Sequence, residues 1–208
     1  MPGQILANGE LIEGAVMMRV LAAILAVGLV TSLQAEPMDS KTARSQLFGP
    51  NGRSVEVFPT DFLGDAESEA LEGYAAQFQY YAAFAVSPGD PADTGSAVGL
   101  ANFHSETSAR NAALAACNER RTTGRACIIV AVTRPKRWEE RPLQLSSEAT
   151  EAFRKEFRKL RRPRAMAVSP ATGAWAVARG DGARAQAQCN ERFEGAGEPD
   201  CQVVIADP

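Results

Sequence analysis

Four short landmarks occur twice in this 208-residue chain, in the same order. AVSP stands at residues 85–88 and again at 167–170, and Thr-Gly follows at Thr94-Gly95 and Thr172-Gly173. CNER stands at 117–120 and 189–192. Each CNER is followed by a second cysteine and a β-branched run, Cys127-Ile128-Ile129-Val130 in one case and Cys201-Gln202-Val203-Val204-Ile205 in the other. An internal repeat constrains the fold more tightly than composition does, because both copies must form the same supersecondary unit. The copies span residues 80–132 and 164–208.

One copy reads as strand, turn, strand, helix, strand. Residues 82–86 form a short apolar strand that stops at Ser87-Pro88, since proline cannot extend a central strand. Gly89, Asp90, Pro91, Asp93 and Gly95 make a turn, and residues 97–103 resume an extended pattern. Ser105, Thr107 and Ser108 offer helix N-caps before an alanine-rich helix over 109–121. In the second copy the middle strand is expected over 173–178, the helix over 183–192 and the last strand over 201–206. The fold class that follows is α+β: a duplicated strand-strand-helix-strand unit in one pseudo-symmetric body, with helices covering an antiparallel-rich sheet.

The cysteines fall at matching points of the copies. Four cysteines allow three connectivities, and equivalence of the copies favours Cys117–Cys127 and Cys189–Cys201, each tying a helix end to the next strand. Spacings of nine and eleven intervening residues are unlike the close pairs of a zinc ribbon or a redox motif. Staples matter here because the 45% apolar content includes 37 alanines, which leaves a thin core.

Two disulfides imply export, and the N-terminus agrees. Residues 17–35 place Arg19 before an apolar run over 20–30 and end on Ala35, the layout of a secretory signal peptide cut near Ala35. The run of 11 apolar residues is shorter than the roughly 20 needed to cross a bilayer. Residues 1–16 carry Glu10 and Glu13 and no base, so translation is expected to begin at Met17 or Met18. The expected location is periplasmic or extracellular.

Two segments lie outside the copies. Residues 36–79 hold a Gly-Pro-Asn-Gly turn at 49–52, a strand over 54–58 and a helix whose Leu71, Tyr74, Ala75 and Phe78 share one face. Residues 133–163 cross between the copies and hold an amphipathic helix over about 147–161, with Ala149, Ala152, Phe153, Phe157 and Leu160 on its apolar face. Over residues 134–164 there are 11 bases and five acids, although the whole chain has a net charge of −3. Arg154, Lys155, Arg158, Lys159, Arg161 and Arg162 form a candidate patch for an acidic protein, an anionic lipid or a cell-envelope polymer. The bland reading is a solvated helix whose bases pair with the acidic repeats. The mild acidic balance gives no reason to expect nucleic acid.

The ordered set of AVSP, Thr-Gly, the aromatic strand Ala174-Trp175-Ala176-Val177, an alanine-rich helix ending in Cys-Asn and a Cys-led Val/Ile strand resembles a family of small exported bacterial domains, domain of unknown function 4189. The match is best over 165–205 and fainter over 82–132, where the turn is longer. The resemblance implies export and fold and carries no catalytic residues across.

Candidate chemistry is sparse. His104 is the sole histidine, which excludes every multi-histidine metal site. It is the weak candidate for an imidazole base, with Ser105 or Ser108 as nucleophile and Glu106 as orienter. Sequence neighbours rarely present that geometry, so a surface or capping role at the strand-to-helix corner is the expectation. Residues 179–182 lack a complete GxGxxG, and no acidic run has calcium-loop spacing. No metal or cofactor is implied. The leading expectation is an exported, non-enzymatic binding module, and the alternative is a small envelope-acting hydrolase using His104.

Overall fold

The computed structural model describes residues 36–90, 95–194 and 197–208. The leader and upstream extension over 1–35, and the turn residues Pro91, Asp93 and Thr94, lie outside the described residues. The described residues form one compact unit. Its elements, in chain order, are α1 (Ser40–Gln46), β1 (Arg53–Val57), α2 (Asp65–Ala75), β2 (Ala82–Val86), β3 (Ala97–Leu100), α3 (Glu106–Arg120), β4 (Ile128–Pro135), α4 (Ser147–Lys155), a 3-10 turn (Phe157–Lys159), β5 (Arg164–Val168), β6 (Trp175–Arg179), α5 (Gly182–Asn190) and β7 (Gln202–Asp207).

The class is α+β with antiparallel pairing in both sheets, but the strands form two sheets where one was expected. The first has the order β1-β4-β2-β3 and the second β6-β5-β7. β2 lies between β3 and β4 in the first, and β5 between β6 and β7 in the second. Each central strand carries an irregularity, against β4 at Phe84/Ala85 and against β7 at Met166/Ala167. The turn that breaks each central strand is the AVSP motif, as proline requires.

Side chains alternate across a strand, and here both faces of each central strand are covered. Ala83 and Ala85 face α3, packing with Ala109, Ala113, Val98 and Val132. Ala82 and Phe84 face the other way, onto Ala75 of α2. In the second sheet Ala165 and Ala167 meet Ala185 of α5, while Met166 and Val168 meet Phe153, Phe157, Leu143 and Leu145. The alanines therefore line helix–sheet interfaces, where small side chains let α3 and α5 sit close. The larger residues fill the opposite faces.

Two helices end earlier than the periodicity suggests. α2 stops at Ala75, so Phe78 lies past its end, yet it still packs edge-to-face on Tyr74 and Phe84, at 4.9 and 5.1 Å between ring centroids. The crossover helix ends at Lys155 and tightens into the 3-10 turn. Pro163 disfavours helical backbone before it, and Arg164 Nη1 donates to the carbonyls of Phe157 and Leu160, each at 3.0 Å. Of the expected apolar face, Ala149, Ala152, Phe153 and Phe157 are buried, and Leu160, past the helix end, is half-buried.

Both disulfides are present as paired, Cys117–Cys127 and Cys189–Cys201, and no cysteine among the described residues is free. Two disulfides point to a non-cytoplasmic location. No helix among the described residues is long and apolar enough to cross a membrane. The asparagine of each CNER has a job at the staple. Asn118 Oδ1 accepts from the Cys127 amide at 3.1 Å, and Asn190 Oδ1 from the Cys201 amide at 3.2 Å. The loops nearby are clamped by a carboxylate in each half. Asp90 accepts from the amides of Thr122 and Thr123 at 3.0 and 2.9 Å and from that of Gly124. Asp200 accepts from the Ser169 hydroxyl and, at 3.0 Å, from the Ala171 amide.

Candidate functional site

His104 sits at the β3–α3 corner as expected, but neither at the surface nor as a cap: it is buried, at 4% exposure. Ser105 is the cap, its hydroxyl accepting from the Ser108 amide at 3.1 Å. The Ser146 amide donates to His104 Nδ1 at 3.1 Å, so Nδ1 must carry a lone pair. That fixes the proton on Nε2, which donates to the Ala174 carbonyl at 3.1 Å. Burial pulls the imidazole down to about 4, against the opposing pull of the Ala174 and Gly173 backbone and the charge of Asp200. His104 thus ties three elements together through backbone: its own corner, the start of α4 and the approach to β6. The neighbouring glycine shows how close these segments lie, because a Cβ on Gly173 would be 2.4 Å from the Asn102 carbonyl oxygen.

The remaining members of the imagined triad are occupied elsewhere. Ser105 and Ser108 hydroxyls bond each other at 2.9 Å. Glu106 pairs with Arg110 and Arg134. Burial pushes its carboxyl up, but the two guanidiniums outweigh that and hold it below the ordinary carboxylate value. Arg134 also stacks over Trp138, and Arg192 over Trp175, so both tryptophans serve packing. Asp181, in the stretch that lacks a phosphate-loop pattern, caps α5 instead.

The basic crossover presents differently. Arg154, Lys155, Arg158, Lys159, Arg161 and Arg162 are all exposed, because the apolar face of α4 is spent on the core. Lys155 pairs with Glu151 on its own helix, and Arg162 approaches Asp207 at 3.6 Å. Arg154 donates to the Phe48 carbonyl at 3.0 Å and meets no carboxylate. Arg158, Lys159 and Arg161 have no ion-pair partner among the described residues. Most of this face is therefore left unneutralised by the described carboxylates.

Sequence reasoning missed the second wall. α1 was read as part of an unassigned segment, yet its signal was present: Asp39 accepts from the amides of Lys41 and Thr42, at 2.8 and 3.0 Å, as an N-cap does. Lys41 and Arg44 stand three residues apart and so share a face of α1. Two adjoining hollows, of about 290 and 340 Å³, lie between α1 and α4. Arg44, Phe153 and Arg158 line both; Arg154 completes the first, and Ser40, Lys41 and Arg164 the second.

The base of this groove is held by a buried ion pair. Asp207, 2% exposed, accepts from Arg164 Nη2 at 2.7 Å and from the Ser40 amide and hydroxyl at 2.9 and 2.8 Å. Burial pushes the Asp207 carboxyl up, and the Ser40 and Arg164 hydrogen bonds outweigh that to leave it lowered. Arg164 is thereby neutralised, whereas Lys41, Arg44, Arg154 and Arg158 keep their charge facing the groove. Among the described residues no group of three or more His, Cys, Asp or Glu is gathered as a metal site.

Compared with protein-family models, with curated proteins and with solved structures, the chain gives no significant match.

Proposed function

We propose that this protein is an exported, disulfide-stapled binding module without catalytic chemistry, which engages an anionic partner of the cell envelope through its basic crossover. The observation that carries the reading is the exposed, mostly unpaired set Arg154, Arg158, Lys159 and Arg161. Unneutralised charge on one face of a chain whose net charge is −3 steers oppositely charged partners to that face. The signal-peptide layout of residues 17–35 and the resemblance to domain of unknown function 4189 support export, and the matching topology of the two units supports an origin by duplication.

The test is retention on heparin and on anionic vesicles at physiological salt, with Arg158, Lys159 and Arg161 reversed to Glu in the variant. The parent chain is retained and the variant is released; equal retention of the two removes the reading. N-terminal sequencing of the exported protein is expected to begin near Glu36. The hydrolase alternative requires His104 Nδ1 to give up the Ser146 amide before it can accept a proton, and it draws no support from the arrangement around the ring.

A further inference from the structure

We infer that the groove between α1 and α4 is a binding site for a phosphoryl group, held by Arg44, Arg154 and Arg158 with Lys41 at its rim. The inference rests on the basic-face reading above and names the ligand class for it. Three observations carry it. The first is convergence: cations from two elements far apart in sequence line the same hollows. A surface made basic only for solubility has no need to gather its charges around one hollow, where they repel one another.

The second observation is the absence of an internal counter-charge. Of the carboxylates around them, Asp39 caps α1, Asp207 holds Arg164 and Glu151 holds Lys155, while the exposed Glu156 forms no ion pair with Arg154 or Arg158. Lys41, Arg44, Arg154 and Arg158 meet no carboxylate among the described residues. The third is the lining itself. Phe153 forms part of both hollows and is almost fully buried, so the groove rests against the protein's low-dielectric core, where charge–charge attraction is stronger than in open water.

Ligand class follows from geometry and charge. A planar carboxylate is satisfied by one guanidinium fork. A tetrahedral phosphoryl group presents oxygens in several directions, so it accepts from forks on both walls at once, and guanidinium is the side chain whose planar donors suit that recognition. A volume of about 290 Å³ lies at the lower end of ligand-pocket sizes, which run from roughly 300 Å³ upward. It suits a headgroup or a single phosphate rather than a large apolar ligand.

The experiment uses the purified protein with both disulfides formed, at physiological salt. The probes are inorganic phosphate, vesicles of phosphatidylglycerol, and polyglutamate as a carboxylate-only polyanion. One variant neutralises the groove, Arg44→Gln with Arg158→Gln. A second makes the same charge change on the same face outside it, Lys159→Gln with Arg161→Gln. Binding is read by calorimetry and by shifts of the arginine guanidinium Nε–H resonances. The parent chain is expected to bind inorganic phosphate saturably, with a Kd on the order of 1 mM. The groove variant is expected to weaken it about tenfold, and the outer variant by less than about twofold.

Tighter binding to the vesicles, lost in the groove variant, supports the site and assigns the phosphoryl group to a lipid headgroup. Vesicle binding no tighter per phosphate than the free ion supports the site with a soluble phosphoryl ligand. Equal weakening in both variants overturns the groove while leaving the basic face intact. Polyglutamate held by the groove as tightly as the phosphate probes overturns the ligand class. No anion bound at all overturns both this inference and the reading beneath it.

Discussion

Burial of His104 makes the protein's stability depend on pH between about 6.5 and 4. Folding moves its imidazole from the ordinary 6.5 to about 4 through burial. At roughly 1.4 kcal/mol per pH unit, that difference is worth about 3 kcal/mol. The neutral ring is the one that fits, so the full contribution is present above pH 6.5. As pH falls from 6.5 towards 4 the unfolded chain takes a proton that the folded chain refuses, and stability falls. Between pH 7 and 5 the loss comes to about 2 kcal/mol, or about 4–8 °C in Tm for a chain of this size. Glu106 and Asp207 are held below their ordinary values of 4.5 and 3.8, so their contributions are lost only at more acid pH. Urea denaturation at half-unit steps, on the parent chain and on His104→Asn, measures the slope. Asn keeps an acceptor near the Nδ1 position, does not titrate, and should flatten the profile between pH 7 and 5. With one histidine in the chain, its NMR titration is unambiguous. An imidazole that titrates near 6.5 in the folded protein, or a variant that keeps the slope, would refute the reasoning.

Three further outcomes follow from the fold. Replacing either cysteine pair by serine removes a constraint on a short loop and should cost about 3 kcal/mol by the chain-entropy relation; a cost below about 1 kcal/mol by urea denaturation counts against the staples. Asp207→Asn leaves the Arg164 guanidinium, 13% exposed, without its counter-ion and should cost about 3 kcal/mol, seen as a Tm drop of about 6–12 °C. Gly173→Ala places a Cβ 2.4 Å from the Asn102 carbonyl at a φ of +83° and should cost about 2–4 kcal/mol. Gly197→Ala, also at positive φ but in open space, should cost only about 1 kcal/mol, and equal losses at the two sites would contradict the close approach.

Much of the fold was legible because it rests on local rules. Proline ended the central strands, alanine built α3 and α5, and the repeat paired the cysteines. What escaped was tertiary. Nothing local distinguishes one sheet from two, since that depends on which face of Ala83 or Met166 finds a partner. The crossover helix kept its apolar periodicity through Phe157 and Leu160, yet it tightened after Lys155, and Arg164 donates to the carbonyls of Phe157 and Leu160, seven and four residues back. The role of His104 was hidden for the same reason: both its partners, Ser146 and Ala174, are distant in the chain. The six crossover bases were visible as a charge run, but their facing wall on α1 was not, because Lys41 and Arg44 gain meaning only when α1 docks beside α4.

The same packing decides how the basic face meets a membrane if its ligand is a lipid. An interfacial helix inserts by turning an apolar stripe into the acyl boundary. Here that stripe is already in use: Ala149, Phe153 and Phe157 are buried against Met166, Val168 and Ile205, and Ala152 is buried beside them in the chain. Freeing the two phenylalanines alone would forfeit on the order of 3–6 kcal/mol of burial, a large share of the stability of a domain this size. Attachment is therefore electrostatic and shallow, and it has two measurable consequences. Binding to phosphatidylglycerol vesicles should weaken steadily as salt rises, since exposed charges are screened over about 8 Å at physiological ionic strength. Trp138 and Trp175, packed under Arg134 and Arg192, should keep their emission maxima on binding. A blue shift, or binding that resists high salt, would mean that α4 has left the core, and the assignment of its apolar face would have to be abandoned.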